Sequence, residues 1–190
     1  LEFKRVLFRS GRYMDKMFFE VRKAVTSDIE EIMLLAKKSF KLYAENAGIT
    51  GLVAPFEESY EDVLKAIETT NVFVALSNEE VIGSVRIKVK PDHSAYLSRF
   101  GVSSLHQNNG IGKILMNAVD IAMMEQGVTS LYLHTASRMF SLIRFYYGRC
   151  FYIESTNDDR GYIRALLCKE YAIARPKESL DNIICNERVV

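Results

Sequence analysis

Cysteine is scarce in this chain and never clustered. Cys150, Cys168 and Cys185 are its three cysteines in 190 residues, and no CxxC pair occurs. An odd, dispersed set offers neither a disulfide frame nor a metal site, so the thiols read as reduced and the compartment as the cytoplasm. Charge of one sign is also missing. The 25 Lys and Arg against 24 Asp and Glu leave a net +1, which argues against nucleic acid or an anionic membrane as partner. No apolar run approaches the ~20 residues of a membrane span. There are no internal repeats. No GxGxxG stands near the first predicted strand, and no GxxxxGK[ST] occurs, so dinucleotide-binding and P-loop folds are set aside.

What is present suits one α/β domain. The hydrophobic share is 48% and the charged share 26%, ordinary for a globular chain long enough to bury a core. Residues 1–12 (with Leu1–Ser10 reading LEFKRVLFRS) are basic and unpatterned, and are read as a non-native or disordered extension. Met14 and Met17 are candidate starts. The domain is expected over 13–175, with a poorly patterned tail over 176–190.

Periodicity supplies the elements. Phe18–Ala24 reads as a strand. Ser27 and Glu30 suggest a capping box ahead of a helix to about Ala44, and Ser59 with Asp62 opens a second helix. Gly48, Gly51 and Pro55 mark the loop between them. Val72–Leu76, Val81–Val89 and Ala95–Val102 form an antiparallel meander. A helix begins at Ile111 and stops at Gly127; Val128–Thr135 is a strand and Leu142–Tyr147 a short helix. Phe151–Ser155 and Tyr162–Lys169 close the sheet as a hairpin. The order is β-α-α-β-β-β-α-β-α-β-β.

Chemistry concentrates in Gln107-Asn108-Asn109-Gly110-Ile111-Gly112-Lys113, between the fourth strand and a helix. Such a loop turns backbone N–H groups and the positive end of a helix dipole toward one point. Glycines at 110 and 112 permit close approach, and Asn108 tolerates a left-handed backbone. A pyrophosphate site is the physical expectation, and Lys113 adds a point charge.

Q-x-x-G-x-G after the fourth strand, within SRFGVSSLHQNNGIGKILM, resembles the acetyl-CoA signature of the GCN5-related N-acetyltransferase (GNAT) family. IRFYYGRCF (Ile143–Phe151) resembles its second signature, a tyrosine-bearing helix before the sixth strand. The resemblance spans about Phe18 to Tyr171. It implies a mixed, mostly antiparallel sheet of six to seven strands flanked by about four helices, splayed between strands 4 and 5. Three positions depart from the family pattern: Met139 stands for Asn, Ser104 for Pro and Cys150 for Gly.

The resemblance further implies acetyl transfer from acetyl-CoA, with no metal, to the primary amine of a small molecule. A peptide or protein acceptor is the alternative, because the loop Glu45–Glu58 carries acids suited to a basic peptide. A non-catalytic acyl-CoA sensor is a third reading, and a homodimer is compatible with each. The amides of Phe100 and Val102 match those that hold pantetheine, alongside the pyrophosphate loop from Gln107 to Lys113. Tyr146 takes the place of the general acid. For the base, the candidates are His134, Glu57 and Glu58. Arg99 is a candidate clamp for a substrate carboxylate and Glu58 a second substrate contact. Tyr96, Tyr132, Tyr147 and Tyr152 are candidate pocket aromatics, while His93 and His106 read as surface residues.

Overall fold

The computed structural model describes residues 6–7, 18–49 and 58–172. Its strands are β1 (Phe18–Lys23), β2 (Asn71–Ser77), β3 (Glu80–Val89), β4 (Ser94–Val102), β5 (Ser130–Ala136), β6 (Tyr152–Asn157) and β7 (Arg164–Glu170). The α-helices among the described residues are α1 (Ile29–Ala47), α2 (Tyr60–Thr69), α3 (Ile111–Glu125) and α4 (Phe140–Tyr147). The sheet runs β1-β2-β3-β4-β5-β7-β6, and Val6–Leu7 adds a two-residue strand outside β1. All neighbours are antiparallel except β4 and β5, which are parallel. Gly51, Pro55 and Glu57 lie outside the described residues.

Helices cover both faces, which explains why β2 is apolar at successive positions. Val72, Val74 and Leu76 join Ile29, Ile32, Leu35, Val63 and Ala66 beneath α1 and α2. Phe73 and Ala75 face the opposite cluster, with Ile111, Leu115, Val119 and Met123 of α3. α3 is further tied down at Asp120. That carboxylate accepts from Arg149 (2.9 Å), Lys169 (2.9 Å) and the Tyr171 hydroxyl (2.8 Å), joining the helix to the turn before β6 and to β7.

The helix ends correct the sequence reading. Ser59 and Asp62 do form a capping box: the Asp62 N–H donates to Ser59 Oγ (3.2 Å) and the Ser59 N–H to Asp62 Oδ2 (3.0 Å). Ser27 and Glu30 do not. A short 3₁₀ turn, Thr26–Asp28, leads into α1, and Asp28 takes the capping work because its side chain faces the buried junction. Its carboxylate accepts from the Val25 N–H (2.8 Å) and from both terminal nitrogens of Arg22 (2.6 and 2.8 Å). α1 also runs three residues beyond Ala44, to Ala47, and ends on left-handed Gly48 (φ 65°).

Burial pushes the Asp28 carboxyl up, but hydrogen bonds from Arg22 and Val25 outweigh it and hold the group below its ordinary value of 3.8. A depressed carboxyl contributes stability above its unfolded pKa and loses it as pH falls through the folded one. Asp28→Ala is therefore expected to cost about 2 kcal/mol at neutral pH. Urea unfolding should show this deficit at pH 7 and a smaller one below pH 3.8. A parent-like midpoint at pH 7 would refute the role given to Asp28.

Candidate active site

β4 and β5 pair only at Ser94–Ser130, Ala95–Leu131 and Tyr96–Tyr132, and then part. A bulge in β4 accounts for the parting. Arg99 and Phe100 stand opposite Val85 alone, and Arg99 adopts a left-handed backbone (φ 53°). A bulge bends its strand and increases its twist, here away from β5. β4 nevertheless stays paired with β3 to Val102, and the Ser103 N–H donates to the Ile82 carbonyl at 2.8 Å. Peptide groups alternate along a strand, so Gly101 and Ser103 face β3 while Phe100 and Val102 face the open side.

The open edge leads to the start of α3. Asn108 (φ 64°) and Gly110 (φ 80°) are both left-handed, as the loop reading expected of Asn108. Gly110 is the N-cap, and no side chain caps the helix. The first bond across the turn runs from the Ile114 N–H to the Gly110 carbonyl (3.1 Å). Inside the helix, the N–H groups of Ile111, Gly112 and Lys113 are thus without acceptors. Gly112 has a further reason to be glycine. A Cβ there would stand 3.2 Å from the Phe100 ring and 3.4 Å from the Phe145 ring, so its absence lets both rings close on the helix. Gln107 reaches back, its amide donating to the Val102 carbonyl at 3.5 Å.

These residues line a cleft of about 850 Å³, roofed by Leu142 and Phe145 of α4. A second cleft of about 700 Å³ is bordered by Tyr96 to Gly101 of β4, by Leu133, His134 and Thr135 of β5, and by α1. The two share Ser39, Tyr43, Phe100, Gly101 and Leu142, so they meet where the sheet opens. Tyr146 borders the second cleft. Its ring packs edge-on to Phe145 (5.3 Å between centroids) and Phe151 (5.4 Å), and burial drives its phenol well above the ordinary value of 10. The group stays protonated at any working pH.

His134 borders the same cleft. Its Nδ1 lies 2.9 Å from the Tyr96 hydroxyl and its Nε2 3.5 Å from the Asn157 amide nitrogen. Burial, then the Arg164 charge, hold the ring below its ordinary 6.5, so it is neutral at pH 7. Glu58 stands differently from its reading as a base. Arg86 binds it through both terminal nitrogens (2.6 and 3.2 Å), and Arg99 Nε adds a third bond at 3.1 Å. Burial raises its carboxyl, but the two arginines outweigh that and keep it below 4.5, which leaves it a poor proton acceptor. Arg99 and Glu58 are thus brought together at the cleft wall, each engaged by the other.

A parallel pair of strands that separates beside an uncapped helix start is a frame for a phosphate-bearing ligand with an extended arm. The profile of the Acetyltransferase (GNAT) family matches residues 32–150. The chain belongs to that family.

As a GNAT acetyltransferase, it uses acetyl-CoA as cosubstrate. Among solved structures it resembles the PaiA N-acetyltransferase of Thermoplasma acidophilum in complex with coenzyme A. The two are 22% identical, with 80% of this chain and 99% of that one covered and a TM-score of 0.68. It also resembles the ribosomal-protein-S18-alanine N-acetyltransferase of Escherichia coli (14% identical; 85% and 99% covered; TM-score 0.67). Ard1 of Thermoplasma volcanium is similar in fold as well (18% identical; 81% and 98% covered; TM-score 0.66). No curated protein matches by sequence.

The departures from the family pattern have local causes in this acetyltransferase. Cys150, at the family's glycine, takes a left-handed backbone (φ 67°), the conformation glycine adopts without strain. Cys150 sits in an exposed turn. Among the described residues Cys168 is a free, buried thiol. Met139, at the family's asparagine, caps α4 with an apolar side chain against Ala47 and Ala136. Among the described residues no cluster of His, Cys, Asp and Glu could hold a metal, and no helix is long and apolar enough to cross a membrane.

Several site residues escaped the sequence reading. The second half of α1 lies over the splay, and the Tyr43 hydroxyl accepts from the Ala136 N–H at 2.6 Å. His106 is no plain surface residue: it borders the first cleft, and its Nδ1 is shut from solvent without a partner. His93 does lie in an exposed turn. Of the candidate pocket tyrosines, Tyr96 reaches the second cleft, as do Tyr43, Tyr146 and Tyr162; Tyr132 does not line it, and Tyr147 and Tyr152 are exposed elsewhere.

Gly110→Asp places a tethered carboxylate at the bare helix start, where it competes with phosphate for the same N–H groups. Calorimetry is expected to show acetyl-CoA bound at least about 10-fold more weakly, with folding confirmed by melting. Parent-like affinity would mean that the loop does not hold the pyrophosphate.

Proposed function

We propose that this acetyltransferase moves the acetyl group directly from acetyl-CoA to the primary amine of a small molecule. The observation that carries the proposal is the meeting of two clefts at Phe100 and Gly101, one with phosphate-binding character and one without. An acceptor in the second cleft would face the thioester with no transfer to a protein nucleophile in between. A volume of about 700 Å³ suits a small ligand, most of whose surface such a cleft can cover. Some structures similar in fold carry names of enzymes that acetylate ribosomal proteins, so peptides belong in any acceptor panel.

In this reading the loop Gln107–Lys113 holds the pyrophosphate. The open edge of β4 at Phe100 and Val102 receives the pantetheine arm as an added strand would be received. A β4 amide also donates to the thioester oxygen as negative charge gathers there, an arrangement worth roughly 3–4 kcal/mol per donor. The Tyr96 hydroxyl gives its proton to neutral His134 Nδ1, to which it is hydrogen-bonded, as its oxygen takes the proton of the incoming amine. Tyr146, kept protonated by burial, supplies the departing sulfur with its proton. Arg99, held in place by Glu58 from behind, forms part of one wall of the acceptor cleft.

Thiol release with acetyl-CoA and a panel of amines tests the acceptor class directly. Turnover with small amines is expected; turnover with peptides alone would overturn the proposal. Tyr146→Phe keeps the ring packing and removes the proton. It should lower kcat on the order of 10²-fold while leaving acetyl-CoA affinity nearly intact. Unchanged kcat, at a pH where chemistry limits the rate, would remove Tyr146 from the mechanism.

His134 leaves a signature in pH. The ring serves as base only when neutral, so kcat/KM should fall as the ring gains a proton, along a limb centred below pH 6.5. His134→Gln should abolish that limb and leave any limb due to the amine itself. A profile identical in both proteins would rule out His134 as the base.

A further inference from the structure

The acceptor cleft is bordered by three arginines and, among the described residues, by no carboxylate. Arg99 is held by Glu58, which also holds Arg86. The other two, Arg160 and Arg164, belong to the β6–β7 hairpin and are less completely neutralised. Arg164 pairs across the ladder with Asn157, and only 8% of its side chain is exposed. Its one salt-bridge partner among the described residues, Asp159, stands 3.7 Å away and is itself 59% exposed. Its Nε is cut off from solvent and has no hydrogen-bond partner. Arg160 borders the same cleft from the turn and is exposed. Of the two, only Arg164 has an ion pair among the described residues, and that is with a solvated carboxylate.

A buried guanidinium so weakly compensated is costly, because its desolvation is not returned by a close, well-aligned counter-ion. A planar anion in the cleft would return it, since a guanidinium fork matches a carboxylate geometrically. The position also fits an amine. The Arg164 charge acts on His134, so an anion held there lies beside the group that receives the amine's proton. Polycationic acceptors such as polyamines would meet repulsion instead.

We infer that the acceptor carries a carboxylate as well as its primary amine, and that Arg160 and Arg164 bind that carboxylate. The inference rests on the proposed acetyl transfer to a small amine, and the test keeps the two apart.

Amino acids are compared with their amides and with the corresponding decarboxylated amines, by thiol release from acetyl-CoA. The carboxylate-bearing member of each set is expected to show kcat/KM at least about 10-fold higher, in line with a charge-assisted contact. Arg160→Gln, a change at an exposed turn, should raise KM for that member by at least about 10-fold and leave KM for acetyl-CoA unmoved. Arg164→Gln should do the same where it folds. A second measurement needs no turnover: calorimetry with the amine-free carboxylic acid, in the presence of CoA, for parent and Arg160→Gln. Equal rates for acids, amides and decarboxylated amines would overturn the inference and leave acetyl transfer standing. If no amine is acetylated but the acid binds and Arg160→Gln abolishes binding, the carboxylate site stands and the proposed acceptor reaction falls. If no amine is acetylated and the acid does not bind, both fall.

Discussion

Everything in this active site depends on one local defect, the bulge at Arg99. Two residues of β4 face one of β3 there, and a non-glycine residue sits in the left-handed region. Such a backbone costs on the order of 1–3 kcal/mol and persists only where its surroundings over-determine it. Here they do. β3 grips β4 on both sides of the bulge, from Val89 to Gly83, and Arg99 Nε is anchored on Glu58. The return is geometric: a strand that should pair with β5 along its length does so for three residues only, and exposes the rest of its edge.

The remaining elements hold that opening and aim it. α1 and α2 brace one face of the sheet through β2, while α3 fills the other and is moored at Asp120. The stack of Phe100 on Phe145 (5.7 Å between centroids) fits because Gly112 has no side chain. One glycine thus couples the bulged strand, the start of α3 and the helix bearing Tyr146. Polar chemistry is distributed by side. Uncapped helix-start N–H groups lie at the first cleft, and neutral His134, Tyr96 and the arginines lie at the second.

Much of this was legible in the sequence, for reasons that differ between elements. The meander and α3 follow from strong periodicity, and the left-handed turns of the loop before α3 from residue types that allow them: Asn108 and Gly110 both adopt that backbone. The start of α1 was misplaced because Ser27 and Glu30 satisfy the capping spacing while Asp28 wins by pairing with Arg22, six residues away and across a turn. Glu58 looked like a free acid because Arg86 and Arg99, its partners, are 28 and 41 residues distant. Tyr43 and Arg164 were missed for the same reason. Their neighbours are assembled by the fold and leave no spacing to read.

The central claim is that the open edge of β4 and the uncapped start of α3 together hold the cofactor. Backbone amide resonances, followed by NMR during titration with CoA, test it residue by residue. The account predicts the largest shifts at Phe100, Val102, Ile111, Gly112 and Lys113, with small ones at the far edge of the sheet in β6. Large shifts confined to the β6–β7 hairpin, with those five amides unmoved, would contradict it.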